Sequence, residues 1–140
     1  MRIILLCLAT FSIFISCKKN EQDINFWECH KSQNLDSAAV HAKLIGSWTW
    51  TKRIGGWGGG TQDADKNVKA VFTTSGYTVT ENNTVLVQGT WRLSGSGDSW
   101  SLVLSSFTSY LFGTILFCGN QVNFYARPVD GSDHIFTKDN

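Results

Sequence analysis

From Gly46 onward apolar and polar side chains alternate with a period of two, the mark of strands with one face buried and the other wet. The stretch SWTWTKRI sets Trp48, Trp50, Lys52 and Ile54 against Thr49, Thr51 and Arg53. NVKAVFTT repeats the pattern with Val68, Ala70 and Phe72 on one face. YTVTE and TVLVQGTWRL then form a hairpin across Asn82-Asn83, because asparagine accepts turn conformations readily. In its second arm Val85, Val87, Trp91 and Leu93 share a face with Gly89, which suits a bend or bulge. WSLVL, YLFGTILF, QVNFYAR and HIFTK complete eight candidate strands. Ahead of them Asp36 is placed to cap a short helix, SAAVHAKLI, ending at Gly46. GGWGGGTQDADKN reads as loop, and the polar residues 18–34, with an isolated Phe26-Trp27, read as a tether.

Short strands joined by tight turns predict an all-β fold, an antiparallel barrel or a sandwich, and the period alone does not separate the two. At 140 residues one domain is expected, and it buries about two-thirds of its unfolded surface without metals or many disulfides. Charged residues make up only 16% of the chain, 12 basic against 11 acidic. That balance excludes a nucleic-acid partner, which calls for clustered Lys and Arg. Solubility falls to Ser, Thr, Asn and Gly.

The first residues do not belong to this pattern. In MRIILLCLATFSIFISC a single basic residue, Arg2, precedes an uncharged apolar run from Ile3 to Ile15, too short for a bilayer span of about 20 residues. Ser16 then precedes Cys17 and the polar KKNEQD. This resembles a bacterial lipoprotein signal with its lipobox, here FISC with Phe14 in the usual leucine position. The resemblance implies cleavage before Cys17, acylation of that cysteine and stable membrane anchoring by several acyl chains. Lys18 stands where an aspartate would retain the protein at the inner membrane, which points to the outer membrane. The alternative is a soluble secreted protein with an ordinary cleavage site. On the lipoprotein reading, residues 1–16 are signal, 17–34 tether and 35–140 the barrel domain, and loss of Arg2 leaves acidic and basic side chains in balance. Cys7 leaves with the signal and Cys17 carries lipid, so Cys29 and Cys118 remain either as a disulfide in an oxidising envelope or as two free thiols.

LIGSWTW places Gly46-Ser47-Trp48 at the start of the first strand, directly after a short helix. With the GGWGGG loop, VFTTSGYTVTENNTVLVQGTWRL and QVNFYARPVDGSDHIFTK in that order, residues 44–138 resemble the lipocalin-like domains of bacterial lipoproteins. The resemblance implies an eight-stranded antiparallel up-and-down barrel with a short N-terminal helix, closed at one end by Gly46 and Trp48. It also implies a basic residue of the last strand over that tryptophan, for which Lys138 is the positional candidate. The T-D-Y turn of lipocalins is missing. The expected inward set is Trp48, Trp50, Phe72, Tyr77, Val85, Val87, Trp91, Trp100, Leu102, Leu104 and Phe124.

An eight-stranded barrel is filled by side chains or holds one small ligand. Trp50, Tyr77 and Trp91 inside, and Trp57 in the glycine-rich mouth loop, are the candidates for binding a small apolar ligand or an envelope protein. The competing reading makes the aromatics core and the loop a long connection. Other chemistry has little behind it. GGWGGGTQDAD lacks G-x-x-x-x-G-K-[ST] and gives no phosphate cradle. His30, His41 and His134 have no metal-ligand spacing, and neither metal nor cofactor is expected. Asp133-His134 lacks a G-x-S-x-G elbow, and the pairs Asp63-Asp65 and Asp130-Asp133 read as solvated turn residues. Asp36-Ser37-Ala38 matches a short O-glycosylation pattern at Ser37, which helix capping explains without sugar. The expectation is a non-enzymatic, membrane-tethered barrel, or alternatively a solid-core module docking a protein through its loop rim.

Overall fold

β-Branched and aromatic residues at alternate positions favour extended chain with one buried face, and the turn residues between them fold each strand back on the last. The computed structural model describes residues 25–55 and 59–140, so Cys17 and Trp57, with the roles expected of them, lie outside the described residues. Its strands are β1 Gly46–Gly55, β2 Thr61–Asp63, β3 Val68–Phe72, β4 Gly76–Glu81, β5 Thr84–Ser96, β6 Ser99–Leu104, β7 Thr114–Cys118, β8 Gln121–Tyr125 and β9 Ser132–Lys138. Neighbours pair antiparallel in the order β2-β1-β3-β4-β5-β6-β7-β8-β9, and β1 pairs with β9 to close the sheet. β2 and β3 lie end to end on one edge of β1, against Lys52–Ile54 and Gly46–Thr49, and act as one interrupted stave. The result is a closed eight-strand barrel. It is a barrel rather than a sandwich.

Two register shifts correct the simple alternation. On β1 the pairing with β9 slips between Trp50 and Lys52. A one-residue slip turns every later side chain to the other face. Arg53 therefore joins the inward face of Trp48 and Trp50, and Ile54 packs outside with Phe26 and Ile135. On β5 the register shifts where Val79 pairs with Val87 but Thr80 pairs with Val85, leaving Leu86 over. Val85, expected inside, is thereby turned out and is 55% exposed. Gly89 is not the bulge. A Cβ there would lie 2.2 Å from Ser105 Oγ and 3.3 Å from the Tyr77 ring, so it serves close packing. β2 lies in the run read as loop; its polar sequence has no apolar period, and only the ladder to β1 makes it a strand. Conversely, the start of YLFGTILF is a 3-10 turn over Ser109–Leu111, and β7 begins at Thr114.

Two helices complete the domain. α2, Ser37–Leu44, follows the expected cap: Asp36 Oδ1 accepts the Ala39 N–H at 2.8 Å, and Val40 and Leu44 are buried. α1, Phe26–Lys31, lies within the stretch expected to be tether. Its Phe26 and His30 are buried, Phe26 in a cluster outside the barrel with Leu116 and Ile135. Two isolated apolar residues in polar sequence carry no visible period, but Phe26 and His30 fall one turn apart on one helix face. α1 also completes the sheet. β7 pairs with β6 only at Ser101↔Thr114, and further along the Phe117 N–H donates to His30 Nδ1 at 3.0 Å. Gln33 Nε2 donates to the Phe117 carbonyl at 2.8 Å. Cys29 and Cys118 are disulfide-bonded, with Cα atoms 5.4 Å apart, pinning α1 to the end of β7.

Candidate functional site

The two ends of the barrel are built differently. At the closed end, Trp48 Nε1 donates to the Leu44 carbonyl at 2.7 Å and Lys138 Nζ donates to the Lys43 carbonyl at 2.9 Å. These are the last carbonyls of α2, which have no partner inside the helix. Lys138 Nζ also sits 5.1 Å from the centre of the Trp48 ring, the contact for which it was the positional candidate. Gly46 permits this approach: its φ is +128°, and a Cβ there would stand 3.1 Å from Lys138 Cε. Tyr77 and Trp91, candidates for ligand contact, belong to the packing on this side. Trp91 stacks on His41 at 4.6 Å and donates to the carbonyls of Thr73 and Gly76, while the Tyr77 hydroxyl donates to the Ser106 carbonyl. Phe72, between them, meets Trp91 edge-on at 5.5 Å.

The other end is open. A cavity of about 660 Å³ is lined by Trp50, Arg53 and His134 from the barrel wall, Tyr110 and Phe112 from the β6–β7 connection, and Gln62, Asp63, Asp65 and Lys66 from β2 and the turn after it. Trp50, Tyr110 and His134 form an aromatic floor with ring centres 5.1 to 5.8 Å apart. Among the described residues, Trp50 Nε1 and His134 Nδ1 are buried without a hydrogen-bond partner. Buried polar atoms normally have one. Burial, and then the nearby Arg53 guanidinium, pushes the His134 pKa down to about 4, so the ring is neutral near pH 7 and presents one donor and one acceptor. Burial pushes the Tyr110 hydroxyl up to about 12, helped by its 3.0 Å hydrogen bond to Glu81 Oε2. Lys66 Nζ, 3.0 Å from Glu81 Oε1, completes that chain. Arg53 donates to Gln62 across the wall and forms no ion pair among the described residues. The cavity therefore offers ring faces below, a fixed cation at the side and two carboxylates, Asp63 and Asp65, on the rim.

Of the sequence candidates, Trp50 lines this cavity and Trp48 with Gly46 closes the far end. Ser37 is exposed at the start of α2, where Asp36 acts as the cap. Asp133 corrects an expectation: instead of a solvated turn residue, it is buried and binds Arg127 Nε at 2.8 Å and the backbone N–H groups of Ala126 and Arg127 at 3.0 and 3.1 Å. Asp133 thus holds the β8–β9 connection outside the barrel while His134 faces inward, as neighbours in a strand must. They form no catalytic pair. Arg53 and Tyr110 were not among the expected site residues, and His134 was weighed only as a metal ligand or partner of Asp133; a bulge, a 3-10 turn and the start of β9 bring the three together from distant segments. Among the described residues no cluster of three or more His, Cys, Asp or Glu side chains is placed to hold a metal. No described helix is long and apolar enough to cross a membrane. Comparison with models of protein families, with curated proteins and with solved structures finds no match to this chain.

Proposed function

We propose that this chain is a lipid-anchored envelope protein whose lipocalin-like barrel binds a small molecule in its mouth and catalyses no reaction. The anchor rests on the signal-like segment and the FISC motif at Cys17. The Cys29–Cys118 disulfide agrees with an oxidising compartment beyond the cytoplasm. The lipocalin-like reading draws support from Lys138 over Trp48 at the closed end. Outer-membrane residence follows from Lys18 on the lipoprotein reading alone.

One observation carries the ligand-binding reading: the aromatic floor of Trp50, Tyr110 and His134 lies open in a 660 Å³ cavity, beside Trp50 Nε1 and His134 Nδ1, which have no partner among the described residues. Small-molecule sites combine an apolar body with a few converging polar groups. The lining narrows the expected apolar ligand to a planar or aromatic one that also hydrogen-bonds, because a purely aliphatic guest would desolvate Arg53 and His134 without return. The alternative, a solid-core docking module, finds support only in the packed closed half. Native mass spectrometry of protein purified from its own host is expected to show a small-molecule adduct that Trp50→Ala abolishes. The bare mass from the native host, or an adduct indifferent to Trp50→Ala and Arg53→Ala alike, would refute binding at this cavity.

A further inference from the structure

The chain enters the domain at the open end of the barrel. Phe26 packs in the outer cluster with Ile135, with Ile54 near the upper end of β1 alongside. Trp27 meets Tyr125 edge-on at 5.6 Å, and Tyr125 ends β8 one residue before Ala126 on the cavity wall. From there α1 runs toward the closed end, where His30 and Cys29 meet Phe117 and Cys118. Cys17 and Asn25 are eight residues apart, and a fully extended chain of that length spans at most about 28 Å. Acylation at Cys17 would therefore keep Asn25 within about 28 Å of the membrane, and the exposed apolar side chains decide which end turns toward it.

The same end carries exposed apolar tips. Phe107 is 73% exposed and meets Phe112, which lines the cavity, at 5.8 Å between ring centres. Val129, 62% exposed, tops the β8–β9 connection, whose Ala126 and Gly131 also line the cavity. Val85 and Leu86 project from the β4–β5 hairpin beside Glu81, the partner of Tyr110. These residues sit on separate connections spaced around the mouth, not in one groove. A ring of apolar tips at one end fits a planar surface, whereas a protein partner requires a contiguous complementary patch. Ile45, Val71 and Val103, the other exposed large apolar residues among the described ones, are dispersed elsewhere on the barrel.

We propose that in the anchored protein the mouth faces the bilayer, with Phe107, Phe112 and Val129 in the lipid–water interface and the cavity opening onto it. This rests on the lipid-anchor reading above. The orientation gives the cavity a route for amphipathic molecules to and from the membrane without passage through bulk water. It also accounts for the exposure of Phe107 and Phe112.

The test uses the full-length lipidated protein in vesicles of phosphatidylethanolamine and phosphatidylglycerol. With Cys29 and Cys118 bonded and Cys17 acylated, a new cysteine takes a thiol-reactive, environment-sensitive dye selectively. Dye at Phe107→Cys or Val129→Cys is expected to emit at shorter wavelength and to be quenched by lipids brominated on their acyl chains. Dye at Asn120→Cys, in the turn at the closed end, is expected to remain water-like and unquenched. Equal, water-like emission from all three positions while the protein floats with the vesicles overturns the orientation. So does shielding of Phe107→Cys that appears only after envelope protein is added. A wild-type chain that takes up no labelled palmitate and does not float refutes the anchor reading itself, and the two failures are thereby told apart.

Discussion

Trp48 and Trp50 stand two residues apart on the same face of the same strand, yet they serve opposite ends of the barrel. The indole N–H of Trp48 is bonded to the end of α2, and its ring is covered by Lys138. The indole N–H of Trp50 has no partner among the described residues, and its ring floors an open cavity. The bonded indole of Trp48 secures the closed end, and the unbonded one of Trp50 leaves a buried polar atom beside the cavity. Strain and unmet hydrogen bonds persist where the rest of the fold is secure enough to tolerate them.

The security of the closed end is the first thing to break. Cys29–Cys118 closes a loop with a sequence separation of 89 beside the β7 edge that His30 and Gln33 complete. Replacing both cysteines by serine is expected to cost about 4.5 kcal/mol, since loop closure of this length removes that much freedom from the unfolded chain. Urea unfolding of the variant against wild type measures it. A loss under about 1 kcal/mol would mean that α1 holds the edge without its cross-link.

Acid attacks the open end instead. The folded-state pKa of His134, pushed down to about 4, lies below its ordinary value of 6.5. Between those values the unfolded chain binds a proton that the folded chain does not, so stability falls as pH drops from about 6.5 to about 4 and then levels. The depression corresponds to about 3 kcal/mol of lost stability. His30, which burial also lowers, acts in the same direction. The contribution of His134 is therefore read as the difference between wild type and His134→Gln, whose stability is expected to decline less steeply over that window.

Much of the architecture was legible in the sequence because it depends on period two: every expected strand finds a counterpart in the barrel, and Asp36 caps α2 as its position implied. The closed end was expected only from the resemblance to lipocalin-like domains, and Gly46, Trp48 and Lys138 take their places there because no register shift intervenes between them. The mouth was not legible. Arg53 turns inward only because β1 slips one residue after Trp50, and nothing in SWTWTKRI marks that slip. Tyr110 reaches the cavity because residues expected to extend β7 form a 3-10 turn. Val85 failed for the same reason as Arg53, a bulge three residues before the glycine that seemed to announce one. Alternation describes a stave of even register, and the site is built where the register breaks.

The two tryptophans give a finer contrast. Trp48→Phe removes a donor from the buried Leu44 carbonyl and part of the surface beneath Lys138, and is expected to cost about 2 kcal/mol. Trp50→Phe removes an N–H that has no partner among the described residues, and its expected cost is within about 1 kcal/mol. Equal losses in chemical denaturation would mean that ring volume, not hydrogen bonding, separates the two ends.

The smallest effect concerns the two cations on the inward face. Lys138 bonds the end of α2 and covers Trp48, so Lys138→Met is expected to lose about 1 kcal/mol. Among the described residues Arg53 bonds Gln62 and forms no ion pair, and Arg53→Met is expected to leave stability within about 0.5 kcal/mol of wild type. Its consequence is electrostatic. Arg53 is the second cause, after burial, of the low His134 pKa, so its removal should move the imidazole titration upward in an NMR pH series. Lys138→Met should leave that titration where it was, because Lys138 sits over Trp48 at the closed end. A shift of equal size in both variants would show that charge at the closed end reaches the mouth, and that the two ends are less separate than their hydrogen bonding implies.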